Sequence, residues 1–316
     1  MTKVGFISLG CSKNLVDTEV MLRKLHDAGF EITPNEEEAE IVVINTCGFI
    51  ESAKRESIDN ILDIAWLKKN GVCKHIIATG CLVERYREDV MNEMPEVDAL
   101  VGVGSLCDIA DACRAVMRGE KYTSFRDKNT SELGGDRILT TEEHTAYLKI
   151  AEGCDNLCTY CAIPLIRGKF RSRAVEDIVK EARELESLGV KEINLIAQDT
   201  SRYGLDIYGE YSLARLVRAI CEGTSIPWIR LLYCYPDKIT DELIAELRDN
   251  PRLLKYMDIP IQHIADPVLK RMNRHGGTAL IKETVKKLRD EVPGIVLRTT
   301  AMVGFPGETE EDFEQL

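Results

Sequence analysis

Apolar positions in the first third of the chain follow two alternating rhythms. Val4 to Leu9 is a short apolar run, and Leu15, Leu22 and Leu25 follow at spacings of seven and three before Gly29, a helix stop. This predicts a strand feeding a helix. The same unit returns with Ile41 to Ile44 before a helix over Ile50 to Lys69, with Ile76 to Ala78 before one near Arg85 to Met94, and with Ala99 to Val103 before Leu106 to Met117. Repeated strand-helix units of this length predict a parallel, doubly wound sheet.

Between Gly119 and Glu143 the rhythm lapses into polar, glycine-containing sequence, including Asp127 to Ser131 and Gly134-Gly135-Asp136. The expected organisation is therefore a first domain over 1–122, a linker over 123–143 and a second domain over 144–316. The second series predicts strands near Tyr147 to Ile150, Glu192 to Ala197, Trp228 to Cys234, Tyr256 to Ile259 and Ile295 to Val303. Between them, Val175, Ile178, Ala182 and Leu185, then Leu213, Leu216, Val217 and Ile220, then Ile281, Val285 and Leu288 carry helical spacing. Five strand-helix units predict a partial (β/α) barrel. The chain stops at Gln315-Leu316, inside the helix expected after the fifth strand, so a fragment of a longer protein is expected.

Composition narrows the class. No run of 18 uncharged apolar residues exists to span a membrane, and the N-terminus carries no secretion signal. Eleven cysteines, an odd number in a chain without a signal peptide, read as thiols or metal ligands in a reducing compartment, the cytoplasm. A net charge of -12 disfavours general nucleic-acid binding, although Arg167, Lys169, Arg171 and Arg173 would make a local basic patch.

The sharpest chemical signal is Cys154-Asp155-Asn156-Leu157-Cys158-Thr159-Tyr160-Cys161, three thiols directly after the first strand of the second series. Thiolates are the soft ligands of iron-sulfur clusters, and three of them leave the fourth iron of a cubane open. A structural zinc ion would want a fourth ligand nearby, and thioredoxin-like chemistry at Cys158 and Cys161 would leave Cys154 unexplained. With an aromatic residue before its third cysteine, the motif resembles the radical S-adenosylmethionine superfamily. The resemblance implies an open iron that chelates S-adenosylmethionine and reduces it to a 5'-deoxyadenosyl radical, with the adenine packed near Tyr160. It also implies cofactor contacts from later strand ends, for which the candidates are Gln198, Asp199, Gln262, Arg298 and Gly304 to Glu308, including Gly307.

The first domain repeats a different coincidence. Leu9-Gly10-Cys11, Asn45-Thr46-Cys47 and Thr79-Gly80-Cys81 each close a predicted strand, and in a parallel sheet those ends share one edge. Gly10, Gly48 and Gly80 would let backbone approach a bound group. Cys73, Cys107, Cys113, Cys221 and Cys234 show no such pattern and read as packing. Two cysteine triads together resemble the methylthiotransferase family across essentially the whole chain. Ser8 to Asp17, with Ser-Lys-Asn after Cys11, resembles the branch that modifies an aspartate of a small-subunit ribosomal protein, the twelfth of its series; Asn45 to Ile50 and Ile196 to Thr200 agree. The resemblance implies two 4Fe-4S clusters, abstraction of hydrogen from the aspartate β-carbon, sulfur delivered from the Cys11, Cys47 and Cys81 cluster, and a methyl group from a second S-adenosylmethionine. It further implies a sulfur donor, a reductase or flavodoxin-type electron donor, and a C-terminal recognition domain that this chain lacks. Rival readings are methylthiolation of adenosine in transfer RNA and a non-catalytic metal scaffold.

Overall fold

The structure, a computed structural model, describes residues 1–316. Six segments of the first part, β1 (Lys3–Ser8), β2 (Glu31–Thr33), β3 (Ile41–Thr46), β4 (His75–Gly80), β5 (Ala99–Val101) and β6 (Tyr122–Ser124), pair in parallel. Their order is β2-β1-β3-β4-β5-β6. Every residue of β3 is buried, as a parallel strand covered on both faces requires. Its alternate side chains serve two cores: Val42 and Ile44 pack with Ile61, Ile64 and Leu82, while Ile41 and Val43 pack with Met21, Leu25, Ile109 and Val116. The doubly wound expectation is met by this division of helices between the faces.

Three features depart from the periodicity. β2 and β6 are three-residue edge strands, too short to show a repeat. The helix expected near Arg85 to Met94 starts earlier, at Cys81, and is two pieces, Cys81–Arg85 and Arg87–Glu93, broken at Tyr86 where φ is -124°. Residues expected as linker pack with the first unit, which comprises Met1–Thr140 together with Leu165–Gly168. Two of their arginines reach buried carboxylates of that unit: Arg126, itself largely exposed, pairs with Asp108, and Arg137 meets Glu19 at 2.6 Å with both side chains under 5% exposed.

The second unit, Thr141–Pro164 with Lys169–Leu316, begins with β7 (Thr145–Lys149) and a small antiparallel pair, β8 (Ala151–Glu152) with β9 (Arg171–Ser172). β10 (Glu192–Ile196), β11 (Trp228–Leu231), β12 (Leu253–Asp258) and β13 (Val296–Arg298) follow. The five-stranded parallel sheet runs β7-β10-β11-β12-β13, in chain order, which is the winding of a barrel rather than of an open doubly wound sheet. The helices over Val175–Ser187 and Leu213–Gly223 bury the predicted stripes Ile178, Ala182, Leu185 and Leu216, Val217, Ile220. The fifth strand stops at Arg298, short of the predicted Val303, and the hairpin of β8 and β9 carried no signal because each strand is two residues long. No helix is long and apolar enough to cross a membrane.

Candidate cluster and cofactor sites

In the first unit the chain leaves β1 for β2 on one side, and β3 lies on the other; a parallel sheet opens a crevice at such a reversal, outside the carboxyl ends of the strands. Ser8 is level with Asn45, and Asn45 with Thr79, so the three strand ends finish together. Cys11 follows β1 by two residues, and Cys47 and Cys81 follow β3 and β4 directly. Two glycines make this possible. Gly10 has φ +90°, and a Cβ there would lie 3.0 Å from the Cys47 sulfur. Gly80 has φ +92°, and its Cβ would lie 2.5 Å from the Thr46 carbonyl oxygen and closer still to Asn45 Oδ1.

The three thiols influence one another. Burial pushes the Cys81 thiol up to about 11, the Arg167 charge pulls it back, and Cys11 and Cys47 add to the rise. Burial likewise raises Cys47, with Cys11 contributing. Cys47 and Cys81 are buried and Cys11 is exposed, so the triad faces water on one side only. Two buried amides bind the strand ends together: Asn14 donates to the carbonyls of Leu9 (2.9 Å) and Thr46 (3.0 Å), and Asn45 donates to the Asn14 carbonyl (2.8 Å). Neither amide was singled out from the sequence, because nothing local distinguishes them from ordinary turn residues.

In the second unit Cys154, Cys158 and Cys161 occupy the loop after β8, with Cys154 and Cys158 buried. Each sulfur has a polar neighbour: Asn156 Nδ2 at 3.4 Å from Cys154, the Tyr235 hydroxyl at 3.5 Å from Cys158, and the Ile163 backbone N–H at 3.5 Å from Cys161. Burial pushes Cys154 up to about 11, and the other two thiols add to it. A charged lattice holds the loop from behind. Lys238 donates to Asn156 Oδ1 and Asp199 Oδ2, both at 2.7 Å, while Asn156 donates to the same Asp199 oxygen at 2.8 Å. Ser201 donates to Asp199 Oδ1 at 2.7 Å. Arg274, stacked on the Tyr235 ring at 4.3 Å, reaches the Tyr160 hydroxyl at 3.3 Å. Lys238, Tyr235 and Arg274 were invisible to local reading, since each is defined only by lying beyond the end of a later strand.

The remaining candidates divide. Tyr160 is half-buried beside the third cysteine and edge-on to Phe305 at 6.3 Å. Gln198 donates to the buried Glu152 at 2.5 Å and leaves its own Oε1 without a partner, an open acceptor in the site. Gln262 takes a left-handed backbone, φ +68°, and is bridged to Ala301, which draws the loop after β12 to the segment after β13. Gly304 and Gly307 also have positive φ, and Glu308 accepts from Phe305 N–H at 2.9 Å beside the buried His263 at 3.3 Å. Arg298 is 63% exposed at the end of β13. Asp199 is wholly buried, with Oδ2 held by Asn156 and Lys238 and Oδ1 by Ser201. Of the basic run, Arg167 and Arg173 are buried against Asp17 and Glu181, at 2.6 Å each, while Lys169 is exposed and Arg171 half-buried.

No group of three His, Cys, Asp or Glu side chains is gathered as a single ion would require. The thiols are soft ligands, and the sulfurs of Cys81, Cys154, Cys158 and Cys161 each have an N–H or O–H group beside them, an environment that suits an iron-sulfur cluster.

A chain-ordered parallel sheet bearing C-x3-C-x2-C after its first strand is the frame of a radical S-adenosylmethionine enzyme, and residues 148–316 match the Radical SAM superfamily. Residues 3–102 match Uncharacterized protein family UPF0004. Among solved structures, the radical S-adenosylmethionine methyltransferase TsrM from Kitasatospora setae superposes with a TM-score of 0.70 at 15% identity, covering 100% of this chain and 70% of that one. The cobalamin-dependent radical enzyme OxsB does so at 0.61 and 12%, over 95% of this chain and 49% of that one. These likenesses are of fold. Sequence relatives are nearer: ribosomal protein uS12 methylthiotransferase RimO of Clostridium tetani is 51% identical over 100% of this chain and 71% of its own length, and that of Clostridium botulinum 52% over 99% and 71%. The chain belongs to the RimO family of ribosomal protein uS12 methylthiotransferases, transferases of the radical S-adenosylmethionine type.

Proposed function

We propose that Cys154, Cys158 and Cys161 hold a 4Fe-4S cluster that binds S-adenosylmethionine, and that Cys11, Cys47 and Cys81 hold a second one serving sulfur delivery. The observation that carries this reading is the pair of thiol triads, each at the carboxyl ends of a parallel sheet and each mutually close enough for the thiols to shift one another's protonation. When bound, a cluster with one open iron supplies the electron that cleaves S-adenosylmethionine and so the radical that takes hydrogen from the aspartate β-carbon.

The chain's own residues prepare that chemistry. Asn156, held by Lys238 and Asp199, fixes the Cys154 sulfur, while Tyr235 and Arg274 set the Cys158 side and keep Tyr160 in place for an adenine ring. The free Oε1 of Gln198 and the loop of Gly304 to Glu308 offer polar contacts for the rest of the cofactor, with Gln262 and Arg298 at the neighbouring strand ends. The enzyme works in the cytoplasm with a low-potential reductase or flavodoxin-type donor and a separate source of sulfur. Burial of Arg167 and Arg173 weakens the basic run that favoured a transfer-RNA substrate.

Anaerobic reconstitution tests the assignment. The unmodified chain binds about eight irons, and Cys154→Ala/Cys158→Ala/Cys161→Ala and Cys11→Ala/Cys47→Ala/Cys81→Ala each fall to about four, as four-iron clusters require. Production of 5'-deoxyadenosine disappears only with the central triad. An N-terminal triple variant that keeps all its iron would remove the second cluster from the reading.

A further inference from the structure

We infer that Arg167 is a positioning residue for the first cysteine triad, holding the Cys81 sulfur in place and setting the reduction potential of the cluster there. The inference rests on the proposal that Cys11, Cys47 and Cys81 carry a cluster, and its test separates the two.

Arg167 comes six residues after Cys161, at the end of a short helix over Ile163–Arg167, and Leu165–Gly168 packs with the first unit. One short stretch of chain therefore carries the last thiol of the central triad and then a charge for the other. The guanidinium is 3% exposed. Nη1 donates to Asp17 Oδ2 at 2.6 Å, and Nη2 donates to Asn14 Oδ1 and to Cys81 Sγ, the latter at 3.4 Å. Asn14 and Asp17 are three apart on one face of the helix Ser12–Asp27, immediately after Cys11.

A purely structural role explains this poorly. A buried ion pair is seldom more stable than well-packed apolar side chains of equal volume, so Asp17 and Arg167 add little to folding as a pair. Nη1 serves Asp17, while Nη2, shared with Asn14, lies within 3.4 Å of a ligand sulfur. Three thiolates on an iron-sulfur core leave negative charge in a site where Cys47 and Cys81 are buried, and reduction adds one more. A fixed positive charge and an N–H donor at sulfur both favour the reduced form and raise the potential.

The experiment uses the full chain carrying Cys154→Ala/Cys158→Ala/Cys161→Ala, so that only the first triad can load. Iron content and the midpoint potential, followed by electron paramagnetic resonance, are measured for this parent and with Asp17→Asn, Arg167→Lys, or Arg167→Gln together with Asp17→Asn. The last variant removes both charges of this pair at once. The expected result is a midpoint that rises with Asp17→Asn, stays near the parent with Arg167→Lys, and falls when both charges go. Equal midpoints in variants that all hold about four irons would overturn the inference while leaving the cluster intact. If the double variant holds no iron and Arg167→Lys loads normally, charge at Cys81 is required for assembly and the inference stands. If Arg167→Lys and the double variant lose iron equally, Arg167 is packing only and the inference fails. A parent without iron would instead remove the first-triad cluster itself, and the inference with it.

Discussion

At the scale of the residue, what sets Cys154 apart from the thiols buried in apolar cores is the company of its sulfur. Cys73, Cys113 and Cys234 are as buried as Cys154, and Cys113 sits within an apolar core. Cys154 instead faces the amide of Asn156, which Lys238 and Asp199 lock. Lys238 and Asp199 have side chains 6% and 0% exposed, so deleting the cation strands a buried carboxylate. Lys238→Met should therefore lose about 3–5 kcal/mol of stability, read as a lower urea midpoint of the iron-free chain. Adding Asp199→Leu to that variant should recover part of the loss, since an apolar pair avoids the desolvation of an unpaired charge. A second variant no more stable than the first would mean that Asp199 is satisfied by Ser201 and Asn156 alone.

At the scale of the element, the site depends on how strands end. β3 and β4 stop on the same level, and the chain turns at Gly80 into the helix that starts with Cys81. Gly80 adopts φ +92° with backbone oxygen of Thr46 where a side chain would go. Gly80→Ala should cost at least about 1–3 kcal/mol in backbone strain and displace Cys81. Its signature is selective: after reconstitution the chain should lose the iron of the first triad and still cleave S-adenosylmethionine. The strands and helices themselves were legible because Ile41 to Ile44, or Leu216, Val217 and Ile220, repeat with the period of the element that buries them. β2, β6, β8 and β9 were not, because two or three residues contain no period, and the break at Tyr86 leaves no mark in a run of charged and apolar residues.

For the whole molecule, the proposed ligand role of both triads requires their thiols to lose protons. Burial holds Cys81 and Cys154 near 11, well above the usual thiol range, so at neutral pH the iron-free chain carries them protonated. Ligation requires the thiolate, so loading releases protons and becomes more favourable as pH rises. Anaerobic iron uptake should accordingly increase between about pH 7 and pH 9, with proton release measurable in weak buffer. Uptake independent of pH would mean that the sulfurs are already thiolates before iron arrives. The acidic total charge of -12 does not conflict with this chemistry, because Arg167, Arg274 and Lys238 place positive charge inside, beside the thiols or the groups that hold them.

The sequence by itself determined the two strand-helix series, the six thiols and their placement at strand ends, and through their spacing the kind of chemistry to expect. These are local properties: periodicity records which face of its own element a residue buries, and C-x3-C-x2-C is complete within one loop. Only the tertiary structure decided what surrounds the sulfurs. Arg167 meets Cys81 across 86 residues, Arg274 approaches Cys158 across 116, and Lys238 reaches Asn156 across 82. Tertiary packing also placed most of the expected linker, up to Thr140, with the first unit and buried two of the four members of the basic run in ion pairs. The physical reason is the same in each case: a charged side chain looks alike in sequence whether it faces water or a buried partner, and the order of strands in the sheet decides which it meets.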